Sequence, residues 1–249
     1  MYSKTKHIPL LLFILLISFT GISQNTETAT DTIQKSNFDI GVDVQSRYIW
    51  RGIMLGGNTA SIQPYVEYST GIFAFGVWGA YAVGGDAYGQ EADLYLTISP
   101  LDFLSFTVTD YFFPTDLESN NYFDYSNKTT GHVFELMASF SSEKFPIGFT
   151  VATNFTGADQ DSNGDQSFST YVEANYGTAI KSVDISLFAG AVFSDNGSYY
   201  GTDGSGFINL GISASKEIKI TEHWNLPVNA ALIFNPDAEN IFITFGFTL

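Results

Sequence analysis

Two arginines, Arg47 and Arg51, stand close together in a segment reading Ser46-Arg-Tyr-Ile-Trp-Arg-Gly-Ile53. A guanidinium is permanently charged, and its planar fork grips a carboxylate through two parallel hydrogen bonds. Carboxylates recur along the chain at alternating positions: Asp39 and Asp43, Glu67, Glu91 and Asp93, Glu135, Glu173, Asp184. If these share one face, Arg47 and Arg51 can pair with wall carboxylates such as Glu67 or Asp93. Such a cluster is either a structural ion-pair network or a charged constriction that selects solutes. Trp78, Tyr95, Tyr65, Tyr111 and Tyr171 fall on the same face and would narrow any passage there. The acids outnumber the arginines on that face, which favours cationic or neutral solutes.

A second constellation is Asp159-Gln-Asp161-Ser-Asn163-Gly-Asp165. Asp159, Asp161, Asn163 and Asp165 match the early ligand positions of a calcium-binding EF-hand loop, and Gly164 allows its turn. The position that should carry a bidentate Glu is Thr170. The segment is therefore either a calcium loop or a polar hairpin loop built on an Asn-Gly turn. Nucleophilic catalysis has little support. Beyond the leader only His132 and His223 remain, no Gly-x-Ser-x-Gly elbow is present, and no His pair has zinc spacing. The expectation is no enzyme, with a lipase-type barrel using His132 as a remote alternative.

These residues need elements to position them. The segment Ile241-Phe-Ile-Thr-Phe-Gly-Phe-Thr-Leu249 places large apolar side chains at every odd position, the period of a strand. The same rhythm predicts twelve strands, at 38–48, 60–69, 72–83, 90–98, 103–112, 132–140, 147–156, 167–176, 182–193, 206–215, 226–234 and 240–249. Most have about ten residues, the length a tilted strand needs to cross a bilayer. Outward faces include Phe38, Ile40, Val42 and Val44, and Val183, Ile185, Leu187 and Phe193. Connections alternate between short turns, as at 69–71, 99–102, 141–144 and 177–179, and longer polar loops, as at 49–59, 84–89, 113–131, 157–166, 194–205 and 235–239. Short turns on one side and long loops on the other is the outer-membrane pattern, with the short side periplasmic.

Composition agrees. Aromatics reach 16% while charged residues are only 14%, and mean hydropathy is +0.07, too low for a helical membrane bundle. A formal charge of −16 argues against nucleic acid, which needs a basic footprint. There is no Cys, so no disulfide and no lipoprotein anchor. Residues 1–23 read as a secretory signal, with Lys4 and Lys6 before an apolar core from Ile8 to Phe19. Residues 24–37 then form a short periplasmic segment and 38–249 the barrel. A soluble sandwich or lipocalin-like barrel would show the same periodicity with its faces reversed. Against it stand the leader, the terminal strand and an aromatic girdle of Tyr48, Tyr68, Tyr81, Phe140, Tyr176 and Phe234.

The 46–53 segment, followed by Gly76-Val-Trp78 and Glu91-Ala-Asp93-Leu-Tyr95, resembles the TorF family of porins, also classed among bacterial proteins of unknown function. The resemblance covers about residues 40–113 and implies an outer-membrane channel of undefined substrate, with no catalytic residues. The combined expectation is an all-β transmembrane up-and-down barrel of twelve strands, or ten or fourteen if a boundary is misplaced, since both ends on one side require an even count. It would sit in the bacterial outer membrane among lipid and lipopolysaccharide and pass small solutes passively. The alternative is a closed structural or adhesive barrel, since the 113–131 loop is aromatic enough to bind a partner or to fold inward as a plug.

Overall fold

The alternating runs fold into strands because their apolar and polar halves must part to opposite faces of one sheet. The computed structural model describes residues 37–84, 89–114, 119–142, 145–194, 198–202 and 204–249. The expected leader at 1–23, the 24–36 segment, half of the 141–144 turn and parts of the 84–89, 113–131 and 194–205 loops lie outside the described residues. The wall strands are β1 (Phe38–Gln45), β4 (Ala60–Thr70), β5 (Phe73–Val83), β6 (Gln90–Leu101), β7 (Leu104–Tyr111) and β8 (Val133–Ser142). They continue with β9 (Phe145–Gly157), β10 (Thr170–Ile180), β11 (Val183–Phe193), β12 (Gly206–Lys219), β13 (Asn225–Asn235) and β14 (Asn240–Thr248). Each pairs antiparallel with the next, and β14 pairs with β1 (Val44 opposite Phe247), so the sheet closes into a twelve-stranded barrel. Closure leaves no open edge, which is why the apolar β14 can be the final strand.

The faces divide as the alternation predicts. Phe38, Ile40, Val77, Leu94, Leu187, Ile243 and Phe245 are exposed on the outside; Ile243 is 69% accessible. Asp43, Gln63, Asp93, Glu135, Tyr171 and Glu173 are buried on the inside. An apolar exterior around a polar, filled interior inverts a soluble barrel and leaves an exposed apolar surface that needs a nonaqueous partner. Rings lie flat along the inner wall over glycines of neighbouring strands: a Cβ on Gly76 would lie 1.9 Å from Tyr95, and one on Gly190 2.0 Å from Tyr171. These glycines are where the wall makes room for inward aromatics.

Two expectations fail at the long-loop end. The first strand stops at Gln45 rather than residue 48, and the polar loop expected at 49–59 carries a hairpin of its own, β2 (Ile49–Trp50) and β3 (Ile53–Met54). Tyr48 belongs to that inward segment and not to the girdle; it is buried with its ring 5.5 Å from Trp78. The other girdle residues hold outward or half-exposed positions at strand ends.

Candidate functional site

The β2–β3 hairpin turns through Arg51 and Gly52, whose φ angles are +48° and +78°. Two successive positive angles make the tight primed turn that suits a two-residue hairpin. Glycine takes such an angle freely. An arginine there costs about 1–2 kcal/mol and persists only if other contacts fix it. Those contacts are plain. Arg51 Nη1 and Nη2 donate to Glu135 Oε2 and Oε1 of β8 at 2.5 and 2.9 Å. Nη1 also donates to the Tyr200 hydroxyl at 2.6 Å. The guanidinium lies between two rings, 4.5 Å from the Trp50 centroid and 4.6 Å from that of Tyr171. The Tyr111 hydroxyl adds a bond to Glu135 Oε1 at 3.1 Å, so that carboxylate is tied from three directions.

The hairpin therefore crosses the lumen from the β1–β4 side to the opposite wall. Gly52 touches the β12 backbone: a Cβ there would sit 1.8 Å from the Ile208 carbonyl oxygen. Asn235 Nδ2 of β13 donates to the Gly52 carbonyl at 3.1 Å. Trp50 stacks on Tyr200 at 5.5 Å with planes 4° apart and meets Tyr111 edge-on at 5.8 Å. Tyr200 comes from a 3-10 turn, Ser198–Tyr200, in the 194–205 loop. Two loops and three wall strands thus converge on Arg51, which is 2% exposed.

The expected partners of the arginines need correction. Arg51 pairs with Glu135, not with Glu67 or Asp93. Glu67 accepts from Tyr95 and Ser69, both at 2.9 Å, and Asp93 accepts weakly from the Phe112 amide at 3.4 Å. Asp43 accepts from Thr248 at 2.5 Å across the β1–β14 seam. Glu173 Oε2 is held by Tyr171 at 2.5 Å and by Asn209 at 2.9 Å. Arg47 makes no ion pair among the described residues and instead lines an internal cavity. Glu135 and Arg51 stand 84 residues apart in sequence. The one local signal for the hairpin was Trp-Arg-Gly flanked by Ile49 and Ile53, a turn pair between β-formers.

The described residues of the 113–131 loop gather around His132 and do not plug the lumen. Phe112, Tyr122 and Tyr125 surround His132, with ring distances of 4.6, 5.0 and 4.5 Å. His132 Nδ1 lies 2.7 Å from Asp110 Oδ1 and Nε2 lies 2.6 Å from the Tyr122 carbonyl oxygen. Both ring nitrogens are thereby engaged in pinning the loop to β7. Replacing His132 with Ala removes both anchors, and limited proteolysis in detergent is expected to cut between residues 113 and 131 at least several-fold faster than in the parent.

The 159–165 segment folds without gathering its acids. Asp159 turns inward and binds the Ser169 amide and hydroxyl, both at 2.9 Å. Asp161 Oδ1 accepts from the amides of Asn163 and Asp165 at 2.8 and 2.9 Å. Among the described residues no three His, Cys, Asp or Glu side chains come together as a metal site. The calcium geometry that Asp159, Asp161, Asn163 and Asp165 offered is thus replaced by a self-closed hairpin loop. The Asp165 and Asn163 amides hold the Asp161 carboxyl below the ordinary aspartate value of 3.8. A depressed folded value stabilises the loop above the unfolded value, and the benefit is lost as pH falls through the folded one. The protection factor of the Asp165 amide, its exchange relative to the intrinsic rate at the same pH, should fall on acidification below about pH 4 and in Asp161→Ala at neutral pH, with no response to calcium.

Residues 29–229 match the model of Gcw_chp, a family described as bacterial protein of unknown function. The chain belongs to that family. The Gcw_chp match reaches well past residues 40–113, where the TorF resemblance ended, and carries no porin assignment with it. No curated protein sequence matches this Gcw_chp chain. Among solved structures it is similar to a mutant of Rh. blastica porin, with 13% identity over 76% of this chain and 55% of the porin, TM-score 0.39. It is also similar to Wzi, an outer-membrane protein involved in group 1 capsule assembly in Escherichia coli and described as a carbohydrate-binding β-barrel. That match has 9% identity over 78% of this chain and 52% of Wzi, TM-score 0.34. The Gcw_chp chain spans about half the length of each of these structures.

Proposed function

We propose that this Gcw_chp protein is an outer-membrane barrel that admits small solutes through a lumen gated by its own β2–β3 hairpin. The observation that carries the reading is the position of Arg51. A cation from the first long loop crosses the barrel and closes a bidentate pair on Glu135 of the far wall. Barrels of eight strands fill with side chains, and those of about sixteen to eighteen leave open water. Twelve strands leave room that one hairpin can occupy. The exposed apolar exterior is the surface a bilayer covers, with lipopolysaccharide over the long loops. At the short-turn end Asp39 and Glu67 are only partly buried and Asp184 is exposed, so that mouth favours cationic or neutral solutes over anions in passage. We assign the barrel no catalytic role: among the described residues both ring nitrogens of His132 are engaged, by Asp110 and by the Tyr122 carbonyl.

Planar-bilayer recording and liposome swelling test this. The parent barrel is expected to show rare, small openings and slow swelling with sugars. A variant in which residues 49–54 are replaced by a short Gly-Ser link is expected to conduct steadily. If that variant stays as closed as the parent, the barrel is a structural or loop-presenting one and the gate is wrong.

A further inference from the structure

Below the hairpin the lumen is filled unevenly. On the β5–β8 side the inward positions carry Trp78, Tyr95, Tyr111 and Met137, which pack the interior. On the β11–β13 side Phe188 and Ile233 are the bulky cavity-lining residues, and the small Ser186, Ser213, Asn229 and Ala231 beside them leave space. The space left over is a cavity of about 80 Å³ roofed by Tyr48 and Ile49 of the inward loop. A second cavity of about 40 Å³ at the short-turn end shares Ser186 and Ser213 with it. The two therefore adjoin at these serines, one at the short-turn mouth and the other a blind end under the hairpin.

The blind end has a chemical character. Arg47 lines it and makes no ion pair among the described residues. Gln45 Nε2, Asn229 Nδ2 and Gln63 Oε1 are buried there without hydrogen-bond partners; Gln63 is 1% exposed and Gln45 6%. The carboxylate on this wall, Glu173, already holds Tyr171 and Asn209. Phe188 and Ile233 supply an apolar flank. Buried polar groups in native proteins are almost always paired, so three orphans beside a guanidinium without an ion pair mark a place where water or a ligand supplies the missing partners.

We propose that this chamber binds a small organic carboxylate carrying a hydroxyl, entering from the short-turn side. The carboxylate matches the guanidinium fork of Arg47 and takes further donors from Gln45 and Asn229. The hydroxyl donates to Gln63 Oε1, and the carbon body lies against Phe188 and Ile233. A phosphate fits poorly, because one cation and an apolar flank do not offset the burial of a dianion. The acids at the mouth slow the entry of an anion, but at physiological salt their field fades over about 8 Å and leaves the bound state intact. The inference goes beyond the gated-channel reading: the bound carboxylate is a ligand of the chamber, not the class of solute favoured in passage, and binding requires only the chamber.

Titration calorimetry on the refolded full barrel in detergent tests it with lactate and its neutral isostere lactamide. Lactate is expected to bind about tenfold or more tightly than lactamide, the margin of a charge-assisted pair over a neutral one. Arg47→Gln should abolish the difference and Arg47→Lys should retain part of it, with both variants keeping the β spectrum and heat-modifiable gel mobility of the parent. If Arg47→Gln fails to fold, Asn229→Ala, expected to weaken lactate selectively, takes its place. Equal affinity for the two compounds, or no binding heat at all, overturns the site and leaves an internal space that only water occupies. The two proposals fail separately. Free conductance with lactate binding intact removes the gate and keeps the site, whereas a closed barrel without lactate binding does the reverse.

Discussion

Replacing Arg51 with Met is expected to open the barrel and to destabilise it together. Glu135 is fully buried, and Arg51 supplies two of its three side-chain hydrogen bonds. Taking away one partner of a buried pair leaves an uncompensated charge, at a cost of about 3–5 kcal/mol. The loss should appear as a lower midpoint in urea unfolding from lipid vesicles. Steady single-channel openings should appear in the same protein, because the bonds that hold the hairpin to the far wall are gone. The double variant Arg51→Met, Glu135→Gln separates the two effects. It removes the stranded charge, so most of the stability should return, while the hairpin stays unclamped and the conductance persists. A double variant as closed as the parent would show that the aromatic stack of Trp50 on Tyr200 holds the plug unaided.

Gly52→Val should have a comparable effect by a purely steric route. The turn requires φ of +78° at this position, and any Cβ would sit 1.8 Å from the Ile208 carbonyl oxygen of β12. That oxygen belongs to the barrel wall and cannot move aside, so the hairpin must. Once the turn lifts, Asn235 loses its bond to the Gly52 carbonyl and Arg51 is drawn from Glu135. Gly57 provides the control. Its φ is +66°, but nothing lies within 4 Å of a Cβ built there. Gly57→Val therefore carries backbone strain of about 1–2 kcal/mol without a collision. Channel recordings should find Gly52→Val open and Gly57→Val closed. Similar behaviour in both would mean that loop strain, not contact with β12, controls the plug.

The two variants probe one device from opposite ends, and the strain at Arg51 links them. A non-glycine residue at positive φ is held there by its surroundings, and in the proposed gate the same surroundings would keep the lumen shut. Movement of the hairpin would relieve the turn while exposing a carboxylate. That opposition allows a modest signal, such as a ligand in the chamber beneath, to shift the balance between shut and open forms.

Much of this architecture was legible from residue order alone. A strand exposes alternate side chains to opposite faces, so Phe38, Ile40, Leu187 and Ile243 were sorted to one face and Asp43, Trp78, Asp93 and Tyr171 to the other; which face was outer rested on the aromatic girdle, the leader and the terminal strand, not on the period. Turn lengths declared which end was which. Closure of β14 on β1 followed from a last strand too apolar to remain an edge. What alternation could not declare was the fate of residues 46–59: Tyr48, Ile49, Trp50, Ile53, Met54 and Leu55 mark a segment that must be buried, but a segment without a sustained period of two does not say what buries it. Nor could it pair Arg51 with Glu135, since both lie on the inner side with several acids within plausible reach. That choice depends on how far across the barrel a two-residue turn can carry the side chain. The acids of the 159–165 loop make the same point: their spacing suited a cation, but one carboxylate turned to Ser169 and another to its own backbone amides. Periodicity is a local property and fixed the wall; the choice of partner is made across the lumen by distance and burial, and only the closed barrel supplies those.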